Sequence, residues 1–391
     1  MRNNPLLRSA GFCLSAALLL AVAISGHAFA APPDVPPGLA KKDPSGVPPG
    51  QAKKSILQIE SQGNRTFGGK VIGDPATGQL SCDHGYVDWQ IPPDPRQYPL
   101  LMVHASSRRT WLTTWDGKEG FRDIFVRLGY PVWVTDLPRT GQAGQGCGAT
   151  SYTPALGDQG RFNSWRLGLW LPGDPTPDFY PGVQFPTNDA KALDQFLRIQ
   201  TPEFNAPENE QVETDALVVL LTEIGPSVML THSSTGIRGW ITGIKSDKVA
   251  GIVSYEPGAV VFPEGEVPPC IPRADGTCQS PGRAVPLPDF LKLTKFPIQI
   301  LWGDFIPKVL DPINTGPRLT LDSRRVNVER SRLFAEAINR HGGNATNIIL
   351  PDIGIFGGTH FLMLDTNNVQ IANLLSQFLK QHGLDGRGKG S

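Results

Sequence analysis

Six short, almost wholly apolar runs recur along this chain: PLLMVHA (99–105), PVWVTD (131–136), SVMLT (227–231), VAGIVS (249–254), FPIQILW (296–302) and TNIILP (346–351). A strand that does not alternate apolar with polar residues has both faces buried. That happens where helices cover both sides of a parallel sheet. Helix-like segments near 118–128, 188–199, 235–246, 329–340 and 367–382 provide such cover. The expectation is one α/β domain over 55–385, with a mostly parallel central sheet and helices on both faces. Ahead of the alternation, SILQIES, GGKVIG and GYVDWQIP read as opening strands. Two Pro/Gly-rich insertions, at roughly 140–186 and 257–294, follow strands. Ligands of such sheets bind beyond the carboxyl ends of the strands, so the insertions are expected to form a pocket wall or cap.

The first thirty residues read as a secretory signal. Arg2 and Arg8 precede the apolar core GFCLSAALLLAVAI, and Ala28-Phe29-Ala30 supplies a cleavage pattern with the cut after Ala30. The apolar run is shorter than the ~20 residues of a spanning helix, so no stable membrane insertion is expected after cleavage. Residues 31–54 hold a short Pro/Gly/Lys repeat, VPPGLAKKDPSG then VPPGQAKKS, that reads as a solvated linker. Residues 386–391 read as a flexible tail. Export to the periplasm or medium is the expectation.

An oxidising compartment gives meaning to the four cysteines beyond the signal. Cys270 and Cys278 bracket the turn-rich IPRADGT and suit a local bridge, leaving Cys82 with Cys147. Neither C-x-x-C nor H-E-x-x-H occurs, which argues against a zinc site. Lys+Arg and Asp+Glu balance at 36 each, with no basic stripe, so nucleic acid is not an expected partner. No Walker or dinucleotide fingerprint stands between a strand and a helix, and no cofactor is expected. Oligomeric state is not legible.

The most chemical stretch is VMLTHSSTGIRGW (228–240), where a strand-like run meets a helix-like one through Ser and Thr. A nucleophilic serine needs a base, an acid to orient that base, and donors for the oxyanion. A strand–turn–helix elbow exposes such a serine, usually as G-x-S-x-G. Thr231 follows the apolar run where the first glycine belongs, so Ser233 is the expected nucleophile. Ser234 is the alternative register, favoured by Gly236 but crowded by His232. An ordinary Ser/Thr helix cap would look similar. Elsewhere, SYEPG puts Glu256 at the end of the next strand, and LWGDFIP puts Asp304 after the one beyond. Either could be the acid. In PDIGIFGGTHFLMLD, His360 lies in a glycine-containing loop before the final helix, where the base of an elbow enzyme belongs. His84, His341 and His382 lack such a setting.

With MVHASSRRTWLTTWDGKEGF, LTHSSTGI, SYEPG, LWGDFIP and GGTHFLMLDTNNVQIANLLSQFL in this order, the chain resembles the bacterial α/β-hydrolase esterases that carry a glutamate as triad acid, secreted members included. The resemblance covers roughly residues 60–383. It implies an α/β-hydrolase fold and a carboxylic-ester hydrolase with Ser233 as nucleophile, Glu256 as acid and His360 as base. It also implies an oxyanion hole from the backbone N–H groups of Ser106 and Ser234, with Ala105 next in line, and a small-molecule ester as substrate. Three departures stand out. Ala105 replaces the glycine after His104, Thr231 replaces the first elbow glycine, and the glutamate expected beside Trp111-Leu112 is absent.

Arg108 and Arg109 read as substrate contacts or surface cations. Trp111, Trp115, Trp133 and Trp302 read as pocket lining or core, with core favoured for Trp133. The loop after Asp136, LPRTGQAGQG, reads as turn chemistry. Two rivals to the esterase expectation remain. One is a lactonase, amidase or polyester hydrolase on the same site, because fold does not fix function. The other is a ligand-binding homologue without activity, suggested by Thr231 and Ala105.

Overall fold

A computed structural model describes residues 56–104, 107–148, 152, 154, 156–199, 201 and 207–387, and in it the apolar runs build one eight-stranded sheet. In chain order the strands are β1 (Ser61–Phe67), β2 (Gly85–Ile91), β3 (Leu100–His104), β4 (Val132–Asp136), β5 (Ser227–His232), β6 (Val249–Tyr255), β7 (Pro297–Trp302) and β8 (Asn344–Ile349). Across the sheet they run β1-β2-β4-β3-β5-β6-β7-β8. Within it β2 is antiparallel to both neighbours, and the other adjacent pairs are parallel. Every residue of β3, β4 and β5 is buried, as continuous apolar runs require.

Each central strand feeds two cores by turns. Leu100 and Met102 of β3 point to one face, with Phe121, Phe125, Leu375 and Phe378. Leu101 and Val103 point to the other, with Leu217, Leu221, Trp240 and Phe334. The first face is covered by α1 (Phe121–Arg127). The second is covered by α2 (Pro207–Ile224), α3 (Gly236–Lys245) and α4 (Leu319–Arg340), and α5 (Asn368–Gln381) completes the first.

Four elements differ from the sequence expectation. Helix α2 was not expected. Its run ALVVLL imitates a strand, but burial of Glu213, Ala216, Leu217, Leu220 and Leu221 follows helical spacing. Helix α4 starts ten residues before the expected 329, across a stretch of weak helix formers. Tertiary contacts compensate: Asp322 is buried, pairing with Arg325 and accepting from the Ala274 N–H. The opening strand is SQGNRTF rather than SILQIES, because β2 sets the pairing. Gly63 there makes room for the Trp89 ring, which would meet a Cβ at 2.5 Å. GGKVIG joins no central strand; Lys70–Asp74 pairs with Gly78–Cys82 as an exposed hairpin.

Both cysteine pairs are bridged as expected, Cys82 to Cys147 and Cys270 to Cys278. The first insertion carries a helix, Asp158–Ser164, and a two-residue hairpin, Gly168–Leu169 with Asp178–Phe179. The second is stapled at Cys270–Cys278 and is held against α4 by Arg325 to the Pro272 carbonyl and Arg330 to the Ser280 carbonyl. Among the described residues, no helix is long and apolar enough to cross a membrane. The signal, the linker and residues 388–391 of the tail lie outside the described residues.

Candidate active site

The turn between β5 and α3 is tight. Ser233 takes a left-handed conformation, φ 54°, directly after the last residue of β5. The hydroxyl of Thr235 accepts from the His232 N–H at 2.9 Å and lies 3.2 Å from the carbonyl of Val103, tying the turn to β3. Close packing of helix and strand is preserved although Thr231 holds the first glycine position. The Thr231 hydroxyl donates to Ser254 at 2.8 Å, and its methyl faces Gly239 on α3, where a Cβ would meet it at 2.9 Å. The missing glycine is replaced by one eight residues on, within α3. At Gly236 a Cβ would collide with Pro257 at 2.5 Å, so that glycine too is required.

Three of the expected residues meet in one line. The Ser233 hydroxyl lies 2.9 Å from His360 Nε2, and His360 Nδ1 lies 2.5 Å from Glu256 Oε2. Glu256 follows β6 as Ser233 follows β5, and Tyr255 is registered opposite His232. Its carboxylate is fully buried and saturated with donors. Oε1 accepts from the Gly303 N–H at 2.8 Å and from Arg166 Nη2; Oε2 accepts from Arg166 Nη1 at 2.9 Å and from His360. Four donors on two oxygens is the bonding of an ionised carboxylate, which accepts only. Asp304 does not reach the imidazole. Its carboxylate accepts from the N–H groups of Phe305 and Gly357, bracing the loop that leads to His360. Asp365 supports the same loop, accepting from the N–H and hydroxyl of Thr359. Ser234 is the next residue in the turn and does not carry the bond to His360. Ser106 and Ala105 lie outside the described residues.

No family model matches the chain. A curated relative, "Probable secreted lipase phiG" of Fungal sp. (strain ATCC 74256), is 28% identical over 321 residues, spanning 76% of this chain and 85% of the relative. A solved structure, described as that of a novel bacterial esterase, aligns with a TM-score of 0.64 at 24% identity, covering 85% of this chain and 99% of that one. The chain has the α/β-hydrolase fold.

In this α/β-hydrolase fold two further histidines, not foreseen as site residues, form a buried relay. The Ser107 N–H donates to His104 Nδ1 at 3.1 Å, His104 Nε2 lies 2.9 Å from His232 Nδ1, and His232 Nε2 lies 2.7 Å from the carbonyl of His360. A carbonyl only accepts, so His232 carries its proton on Nε2 and His104 does the same, both neutral. Burial pulls His104 down to about 3, and burial with His360 and His104 nearby holds His232 well below its usual value. The sequence shows that each histidine ends an apolar run, but only the fold makes β3 and β5 neighbours. Burial, with Arg324, Arg166 and His104 close by, likewise holds His360 well below 6.5. A neutral imidazole with Nδ1–H toward Glu256 leaves Nε2 free to accept a proton from Ser233.

The first insertion supplies the wall beside His360. Trp165 stacks near its ring, and Phe361 meets Trp165 edge-on at 4.9 Å and Trp115 at 5.6 Å. Trp111 and Trp302 are core residues with no exposure, and Trp133 stacks on Trp89 across β4 and β2. The loop arginines have local partners: Arg108 pairs with Asp88, and Arg109 donates to Gln195 at 2.5 Å. After Asp136 the chain makes the expected turn, with the carboxylate accepting from the Gln142 N–H at 3.1 Å. The second insertion touches the elbow at its root, where the Gly258 N–H donates to the Ser233 carbonyl at 2.9 Å.

Proposed function

We propose that this chain is an exported serine hydrolase of carboxylic esters. His360, oriented by Glu256, takes the proton of Ser233, whose oxygen attacks the ester carbonyl. The N–H groups of Ser234 and Ser106 bind the oxyanion. His360 then protonates the departing alcohol, and water releases the acid from the acyl-enzyme by the reverse steps. The observation that carries this reading is the unbroken Ser233–His360–Glu256 line at a strained strand-to-helix turn. The lipase and esterase names of the two similar proteins support it. Export follows from the N-terminal signal read up to Ala30, and the two disulfides and the secreted relative are consistent with it. The packing of Thr231 against Gly239 favours an active elbow over a disabled one.

The test is fluorophosphonate labelling with mapping of the modified peptide, alongside turnover of p-nitrophenyl acetate. Label on Ser233 is expected, abolished in Ser233→Ala. Glu256→Gln is expected to lose far more rate than Asp304→Asn. Label on Ser234 would move the nucleophile by one residue. Absence of label and turnover would leave a ligand-binding protein as the better reading.

A further inference from the structure

Glu256 is held by a residue that belongs to neither the sheet nor the elbow. Arg166 ends the helix-bearing part of the first insertion, is fully buried, and has a left-handed backbone, φ 63°. Its fork grips both oxygens of Glu256, and its Nε donates to the Asp304 carbonyl at 2.6 Å. The residue before it, Trp165, accepts the His360 N–H on its carbonyl at 3.0 Å. The residue before that, Ser164, takes Arg324 of α4 on its carbonyl at 3.1 Å and its hydroxyl at 3.0 Å. Three consecutive residues of the cap thus bind the proposed acid, the backbone of the proposed base, and α4.

We infer that Arg166 is a positioning residue that couples docking of the cap to assembly of the triad. This rests on the ester-hydrolase reading of the site. When the cap is seated, the guanidinium locks Glu256 in the one rotamer that meets His360, and a bidentate pair fixes a carboxylate plane as a lysine cannot. Its cation also shares the charge of Glu256. The imidazolium formed during attack is then less stabilised, and gives its proton more readily to the leaving alcohol. The other charged or titratable groups facing this cluster are Arg324 from α4, His104 and His232 from the strand ends, Asp365 and Asp304 from the loops, and Tyr180 with Arg318 at the margin. Arg324 adds to the same cationic effect, and the two histidines are neutral.

The test compares wild type, Arg166→Met and Arg166→Lys in the full chain, by kcat and KM for p-nitrophenyl acetate from acid to neutral pH, with thermal melting as the control for folding. Loss of the fork costs about 10²-fold in kcat, the size expected for misplacing a catalytic group by an ångström, with KM little changed because Arg166 does not meet substrate. The acidic limb of kcat/KM moves to higher pH in Arg166→Met and stays in Arg166→Lys. Rates and limbs like wild type in both variants overturn the inference. So does a loss of stability in either variant without change in kcat or limb, which marks a purely structural arginine. If Arg166→Met fails to fold, Arg166→Lys decides: a kcat loss at unchanged KM supports the inference and a wild-type kcat overturns it. A wild-type protein without turnover or fluorophosphonate label overturns the hydrolase reading itself, which sets that failure apart from the others.

Discussion

Ser233 and Glu256 share one backbone anomaly at registered positions on adjacent strands: both are left-handed, φ 54° and 49°, immediately beyond the paired residues His232 and Tyr255. For residues with a Cβ this conformation costs about 1–2 kcal/mol each. At Ser233 it lifts the hydroxyl off the strand line toward His360; at Glu256 it turns the carboxylate inward to the same ring.

The strain predicts an ordering of variants. Ser233→Gly and Ser233→Ala both lose the bond to His360, but glycine tolerates the left-handed region. In urea denaturation Ser233→Gly is expected to be more stable than Ser233→Ala by about 1 kcal/mol. Equal stabilities would mean that the turn relaxes and stores no strain.

A second prediction concerns pH. His360 is held well below 6.5 by burial and by nearby Arg324 and Arg166. A lowered value keeps the imidazole neutral, and so able to accept a proton, on the acid side of its usual range. The acidic limb of kcat/KM, which reports the free enzyme, is therefore expected below pH 6.5. A midpoint above 6.5 would contradict the lowering of His360 by burial and the two arginines.

The exchange of glycine between Thr231 and Gly239 predicts a rescue. Gly239→Ala drives a methyl against Thr231 at 2.9 Å and is expected to lower stability by about 1–3 kcal/mol, the usual cost of overpacking. Thr231→Ala removes the opposing methyl, so the double variant is expected to recover part of the loss, a coupling readable in a double-mutant cycle.

The two disulfides differ in the loops they close. Cys82 and Cys147 are 65 residues apart, Cys270 and Cys278 only 8. Loop-closure entropy gives about 4 kcal/mol for the long bridge and about 2.5 for the short one. Paired serine variants should differ in that order in denaturant midpoint. A larger loss at the short staple would mean that it holds the second insertion against α4 by more than entropy.

The parts of this molecule that sequence displayed are those fixed by local pattern. Burial on both faces wrote β3 to β7 as apolar runs, and the strand-to-helix change at Leu230–Gly236 exposed Ser233. Glu256 and His360 stood out because each follows a strand or precedes a helix in a short polar loop. What stayed hidden depends on contacts between distant segments. Arg166 looks like any arginine after a short helix until the cap folds back onto Glu256. His104 and His232 become partners only because β3 and β5 are neighbours in space. Helix α2 was masked by an apolar run whose polar neighbours, Glu213 and Thr214, are buried with it.

Because Glu256 follows β6 and Ser233 follows the adjacent β5, both backbones are mounted on one stiff rail, spaced by the hydrogen bonds between the two strands. His360 instead arrives on a loop. That arrangement releases the turn after β7, with Asp304, to serve as scaffolding that joins the cap to the histidine loop. A cap transplanted from a relative is therefore expected to leave the spacing of Ser233 and Glu256 unchanged, provided the graft brings its own arginine to the seat of Arg166.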